Sequence, residues 1–497
     1  MKTSNIRKKL TLSLAILGLV SCKDFLELPP QGQITQSNFP TSAEDALLAT
    51  NAIYNTLRFN EFHFGLFPIM DIMSDDAHKG SNPSDGAATV GPYDTFTHIS
   101  TEGNISRWWN ALYQGVQRAN VVIENVPDIT MDEDLRDRYV AEAKFLRAFF
   151  YFDLVRAWGD VPIITTTLPV TDAERSSKAL VYELIHEDLE EAIANLPEKS
   201  EYPIADLGRA TKGAAKALRA RVYLFQGNFP EAARWAQEVI NSGQYDLFEN
   251  FADANSEAGE HGIESVFEVG AFGQEGLENG GNQYGNVQGV RGTPNRGWGF
   301  NRPSLDLMNS FETDDPRMEA TVIFLGEELD GILIAGDSQT PDETTDEDGN
   351  LVEIECYNQK VWTPGSTVPP SFGHNRRFIR YADVLLMAAE SLNETGNVPL
   401  ALDYLNEVRE RARGGNNALL PDITETDQAL LRDIIFEERR HELAMEGHRF
   451  WDLVRTNRAN SILGPLGFVS GKHELLPIPQ IELDLTGNRW PQNPQWE

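Results

Sequence analysis

Gly227-Asn228-Phe229-Pro230-Glu231-Ala232, continuing to Val239, returns in the same register as Gly396-Asn397-Val398-Pro399-Leu400-Ala401, continuing to Val408. Each position has a helical reason. Glycine ends one helix, where the backbone needs positive φ. Asparagine caps the next, and proline is tolerated in a first turn, where its missing N–H has no partner to lose. Alanine then lets two helices approach closely. Upstream, Ala217, Ala220 and Tyr223 in one copy, and Ala388 and Ala389 in the other, belong to the preceding helix. This is the helix–turn–helix grammar of tetratricopeptide repeats, with generic antiparallel helix pairs as the alternative.

Working outward, helix-forming composition covers residues 43–57, 107–126, 135–158, 179–196, 212–225, 230–242, 379–394, 399–412 and 427–456, and many of these carry apolar residues at helical spacing. Between residues 251 and 377 the texture changes. Gly, Asn, Asp, Thr and Pro punctuate short runs at 265–269, 321–325 and 352–357, which read as small strands among loops. The expected fold is mainly α, a tetratricopeptide-like scaffold over 41–250, a loop-rich variable insertion over 251–377, and a closing helical segment over 378–497.

The first 22 residues carry an address. Lys2, Arg7, Lys8 and Lys9 precede an apolar stretch, 10–20, that is too short to span a bilayer. It runs into Leu19-Val20-Ser21-Cys22, a lipobox. The expectation is that 1–21 is a lipoprotein signal peptide, that Cys22 takes acyl lipid, and that 22–40 is a tether with an extended segment.

The 497 residues hold 42 Lys and Arg against 76 Asp and Glu, a formal charge of −34. Such a chain offers no basic footprint to nucleic-acid phosphates and is repelled by anionic lipid. With Cys22 lipidated, Cys356 is a lone thiol that reads as a buried small residue, and no intramolecular disulfide is available.

Several blocks in order resemble the SusD/RagB family of outer-membrane nutrient-binding lipoproteins. Behind Cys22 come Trp108-Trp109-Asn110-Ala111-Leu112-Tyr113 to Asn120, then Ala141-Glu142-Ala143-Lys144-Phe145-Leu146-Arg147-Ala148 and Trp158-Gly159-Asp160-Val161-Pro162. Later come Arg380-Tyr381-Ala382-Asp383 to Glu390, Glu437-Glu438-Arg439-Arg440-His441-Glu442 to Leu453, Leu475-Leu476-Pro477-Ile478-Pro479, and Gln492-Asn493-Pro494. The resemblance implies a helical scaffold with a variable ligand-holding face, and a partner: a TonB-dependent β-barrel transporter over which the lipoprotein sits as a lid. Lys23, Asp24 and Glu27 loosely resemble the charged signals that send such lipoproteins to the cell surface.

Catalytic motifs are missing. There is no phosphate-cradling loop, no G-x-S-x-G elbow and no paired histidines. His441-Glu442-Leu443-Ala444-Met445 has methionine where a zinc site needs its second histidine, and His448 falls two turns away. Glu438 with Glu442 and Arg439, and Arg449 with Asp452, read as an ion-pair network tying down the last helix. The acidic stretch 342–355 sets Asp346, Asp348, Gly349 and Glu355 at EF-hand offsets. Thr344 stands in the first ligand position, so the stretch reads as a solvated loop.

Sugar rings stack on aromatic faces and need Asp, Asn and Arg at the rim. Two loop segments offer both. Residues 75–100 bring Asp76, His78, Asn82, Tyr93 and Phe96, and residues 280–311 bring Asn282, Tyr284, Arg291, Arg296, Trp298, Phe300, Asn301 and Arg302. In the resembled family, ligand contacts commonly come from these two regions. Trp298, between Gly297 and Gly299, is the leading candidate, followed by Tyr284, Phe300 and Tyr93, with Asp76, Asn282, Arg296 and Asn301 as polar partners. Trp108, Trp109 and Trp451 are expected in the core. The function expected is capture of an extracellular glycan for the transporter. Peptide binding, surface glycoside hydrolysis and a purely structural adaptor are the alternatives.

Overall fold

The computed structural model describes residues 39–273, 281–365 and 373–496. Cys22, the signal peptide and most of the tether lie outside the described residues. The scaffold is a succession of helices: α1 (Ala43–Thr56), α2 (Asn60–Leu66), α3 (Gly103–Asn125), α4 (Glu133–Trp158), α5 (Lys178–Asn195), α6 (Lys212–Phe225) and α7 (Phe229–Ile240). After a long excursion come α8 (Tyr381–Glu394), α9 (Val398–Ala412), α10 (Gln428–Leu443) and α11 (Arg449–Arg455). Neighbours in sequence pack as neighbours in space from α3 to α7. Helix α8 then docks on α7, so the stack continues across the excursion. Buried Trp108, Phe145, Phe150, Trp158, Leu218, Val384 and Leu385 belong to one continuous core.

The two hexapeptides make the same turn. Gly227 and Gly396 have φ of 69° and 84°. The N–H of Gly227 donates to Leu224 O and that of Asn228 to Tyr223 O, matched by Gly396 to Asn393 O and Asn397 to Leu392 O, all at 2.8–3.0 Å. The side chain of Asn228 accepts from Glu231 N–H, whereas Asn397 makes no side-chain cap, so the expected cap is present in one copy only.

The excursion is framed by a strand pair. β2 (Ser265–Val269) runs antiparallel to β6 (Arg376–Arg380), which leads straight into α8. Inside the frame, β4 (Val322–Phe324) pairs with β5 (Cys356–Asn358), and β3 (Phe300–Pro303) pairs back to β1 (Ala77–Gly80).

One expectation is overturned. Residues 427–456 do not form a single helix; the chain turns between α10 and α11, with Met445 and Gly447 at φ 63° and 86°. Tertiary contacts hold the turn open. Gly447 N–H donates to Asp71 Oδ1 at 3.0 Å, and the Glu446 carboxylate is clasped by Arg380 at 2.8 and 2.7 Å.

Candidate functional site

The two loop segments singled out by composition are joined by the β1–β3 ladder, in which His78 faces Arg302 and Gly80 faces Phe300. The ladder continues into the Trp298 loop through Ser81 N–H, which donates to Gly299 O at 2.5 Å. Trp298 N–H donates to Asn286 O at 2.8 Å and Gly299 N–H to Gly289 O at 3.0 Å. A Cβ at position 297 would lie 2.5 Å from Asn286 O, and position 299 has φ 71°, so both glycines flanking Trp298 are required by the way the loop is pinned.

So held, the Trp298 indole lies parallel to the Phe64 ring, with centroids 5.5 Å apart and planes 12° from coplanar. Both side chains are half-buried. At that spacing parallel rings are offset, so neither fully covers the other's face. The exposed Arg107 places its guanidinium 5.8 Å from the Phe64 centroid. Helix α2 brings Phe64 here because Gly65 crosses α3 at backbone contact: a Cβ there would sit 2.4 Å from Trp108 N. The result is a half-buried aromatic platform with a cation beside it.

The structure places the other candidates differently. Tyr93 is fully buried and stacked on His98 at 4.8 Å. Tyr284 is buried between His63 and His374, with the Arg376 guanidinium 4.9 Å from its ring centroid. Both rings are wall material, because neither leaves a face for a ligand. Phe300 is half-buried against Phe67 at 5.6 Å, with the Lys79 ammonium 5.8 Å from its centroid, and floors the 79–91 loop. Phe96 is buried against Phe468 and His473.

The polar candidates are equally committed to the scaffold. Buried Asp76 accepts from Arg440 Nε at 2.7 Å. Asn282 donates to His374 O at 3.0 Å and accepts from Tyr284 N–H at 2.8 Å. Asn301 donates to Asp71 and to Gln288 at 3.1 and 2.8 Å. Arg296 donates to Thr363 O at 3.1 Å and Pro364 O at 3.0 Å, beside the half-buried Trp362 ring. His78 sits 3.6 Å from Asp94, Asn82 accepts from Ser84 N–H, Arg291 bridges Asp85 and Asp337, and Arg302 pairs with Glu353. A loop this tightly folded uses its Asp, Asn and Arg to satisfy its own backbone and charges.

Phe64 and Arg107 were not anticipated. Nothing in Asn60-Glu61-Phe62-His63-Phe64 separates Phe64 from the buried Phe62; only the crossing of α2 over α3 does.

The ion-pair network exists with different partners. Glu438 joins Arg317 and Arg409 at 2.6 and 2.7 Å, and Asp452 joins Arg439 and Arg455 at 3.3 and 2.7 Å, while Arg449 holds Asp75. The acidic stretch forms a hairpin of Glu343–Thr345 with Leu351–Ile354, whose turn residue Asp346 accepts from the N–H groups of Asp348 and Asn350 at 3.0 and 2.8 Å. Among the described residues no group of His, Cys, Asp and Glu comes together to hold a metal, and no helix is long and apolar enough to cross a membrane.

Comparison with known proteins gives one consistent answer. Residues 263–467 match the SusD family, and residues 70–224 match the family described as starch-binding associating with outer membrane. The chain is 32% identical to SusD-like protein P2 of Formosa agariphila, over 98% of this chain and 99% of that one. It superposes on a laminarin-binding SusD-like protein with TM-score 0.76 at 31% identity, covering 92% of this chain and all of that one. It also superposes on surface glycan-binding protein A from Bacteroides thetaiotaomicron in complex with laminarihexaose, with TM-score 0.75 at 26% identity over 91% of this chain and all of the other. The chain belongs to the SusD family.

Proposed function

We propose that this protein captures a glycan at the cell surface and passes it to a TonB-dependent β-barrel transporter, over which it sits as a lid, tethered by acyl lipid on Cys22. The observation that carries the capture step is the half-buried Trp298–Phe64 stack with the exposed Arg107 alongside. An aromatic face takes up the C–H face of a sugar ring, and a neighbouring guanidinium donates to its hydroxyls. Relatives described as laminarin-binding, or solved with laminarihexaose, support a β-glucan as the first ligand to try. We read the site as non-catalytic. Glycoside hydrolysis needs two free carboxylates across a cleft, and the acids at this loop junction, Asp85 and Asp337, are both held by Arg291.

Calorimetry against plant, host and microbial glycans plus a peptide digest tests this. Binding of one glycan class, lost in Trp298→Ala with the melting temperature kept, supports the reading. New reducing ends would make the protein an enzyme instead. Binding of peptides alone, or glycan binding indifferent to Trp298→Ala, would remove the platform from it.

A further inference from the structure

A cleft of about 590 Å³ opens far along the chain from the platform loops, between the end of α4, the start of α5, helix α11 and the closing segment. Three residues that line it carry a buried polar atom that finds no partner among the described residues: Arg156 Nε, Trp451 Nε1 and the Tyr182 hydroxyl. The first two can only donate hydrogen bonds. Arg156 is sandwiched over Trp451 at 4.6 Å and Phe152 at 5.3 Å, and its Nη2 reaches Asp153 at 2.7 Å, which leaves Nε unmatched.

The rim repeats the imbalance. Lys178 donates its backbone N–H to Asp160, and its ammonium lies 5.7 Å from the Tyr182 ring centroid, with the Asp160 carboxylate favouring its charge. Arg175 donates to the carbonyls of Asp160 and Pro491 and to the Asn493 side chain, and the Asp160 carboxylate favours its charge without a direct ion pair among the described residues. Two acids line the cleft, and each accepts local hydrogen bonds from neutral donors. Asp160 accepts from Lys178 N–H at 2.7 Å, and Glu474 accepts from Gly471 N–H at 2.8 Å and Ser470 Oγ at 3.1 Å. Burial lowers the pKa of Arg156, Arg175 and Lys178 alike, as for cations drawn out of water with too little negative charge around them. In a chain of formal charge −34, this cleft gathers Arg156, Arg175, Lys178 and Arg455 against the acids Asp160 and Glu474.

We propose that this cleft is a second ligand site, and that it takes an anionic sugar through its carboxylate or sulfate group. The unmatched donors and Lys178 would hold the anion, and the edges of Tyr182 and Trp451 would meet the ring. The anion follows from the cleft alone. The choice of a sugar as its bearer rests on the glycan reading above.

Calorimetry on the full chain with glucuronate, glucose 6-sulfate and glucose tests it. Either anionic sugar should bind about tenfold more tightly than glucose, the difference one charge-assisted hydrogen bond makes. Uronate or sulfate preference then names the group. Lys178→Gln and Tyr182→Phe, the second an isosteric loss of one hydroxyl, should each remove most of that preference at unchanged melting temperature. Trp298→Ala should leave it intact, which separates this site from the platform. Equal binding of all three sugars, no binding of any, or a preference untouched by both variants overturns the proposal.

Discussion

Arg449 grips Asp75 with both ends of its guanidinium, Nε to Oδ1 at 2.8 Å and Nη2 to Oδ2 at 2.7 Å, across 374 residues of sequence. Both side chains are buried, and Arg440 joins them through Asp76 at 2.7 Å. The pair anchors the segment that becomes β1 to the start of α11, so the ladder carrying the Trp298 loop hangs from the closing helices.

Removing one member of a buried pair strands the other charge, at a cost of about 3–5 kcal/mol. Asp75→Asn should therefore lower the stability of the whole chain by roughly that amount in urea unfolding, and Arg449→Lys by less. Equal stability to wild type would show the pair to be dispensable.

Phe64→Leu keeps an apolar side chain against the core but removes the ring under Trp298. Aromatic pairs add about 0.5–1.5 kcal/mol beyond their area, so stability should fall by roughly that much. Glycan affinity should fall more steeply, because the indole loses its support. Calorimetry beside thermal unfolding reads both.

Gly297→Ala tests the positioning of the loop. Its Cβ would come 2.5 Å from Asn286 O, so the backbone hydrogen bond that places Trp298 must give way. The expected outcome is a change in Trp298 fluorescence and a loss of binding, with no substitution in the aromatic platform itself.

Acid should unfold the protein through its buried carboxylates. Burial raises the Asp452 carboxyl, but Arg439 and Arg455 outweigh it and hold the group at about 2. Glu268 is likewise pushed up by burial and brought to about 2 by its hydrogen bond to His261 and by Arg377. Both values lie below those of the unfolded chain, so this stability is complete above about pH 4.5 and is lost as pH falls towards 2. Asp71 and Glu260 act in the opposite sense: burial raises each to about 7, above its unfolded value, so their contribution is complete below about pH 4 and is lost as pH rises to about 7. Urea unfolding across pH should show a maximum between about pH 4 and 6, with Asp452→Asn flattening the acid limb. A profile rising steadily to pH 8 would contradict this.

Cys356 is fully buried, its thiol donates to Pro303 O at 3.4 Å, and burial pushes its pKa up to about 12. Iodoacetamide at pH 8 should leave it unmodified in the folded chain and alkylate it in denaturant, as read by mass spectrometry of its peptide.

Much of this was legible locally. The Gly-Asn-x-Pro turn depends on φ at one residue and a first helical turn that tolerates proline, so its repetition announced both helix pairs. The strands at 265–269 and 322–324 showed as short runs punctuated by loop-forming residues. What misled was also local. Residues 427–456 have unbroken helical composition, and nothing near Met445 says that Arg380 and Asp71 will pull the chain into a turn. Tyr284 and Tyr93 share the loop context of Trp298, yet they are buried and it is only half-buried.

The sequence by itself determined the helical scaffold, the loop-rich insertion, the excess of negative charge and the kinship of the chain, because periodicity, turn chemistry and motif order are properties of short stretches. Only the tertiary structure decided which aromatic ring faces outward, which acids and arginines pair, and where donors are left without acceptors. Those outcomes depend on side chains hundreds of residues apart meeting in one packed volume, where burial makes every unmatched charge and donor costly.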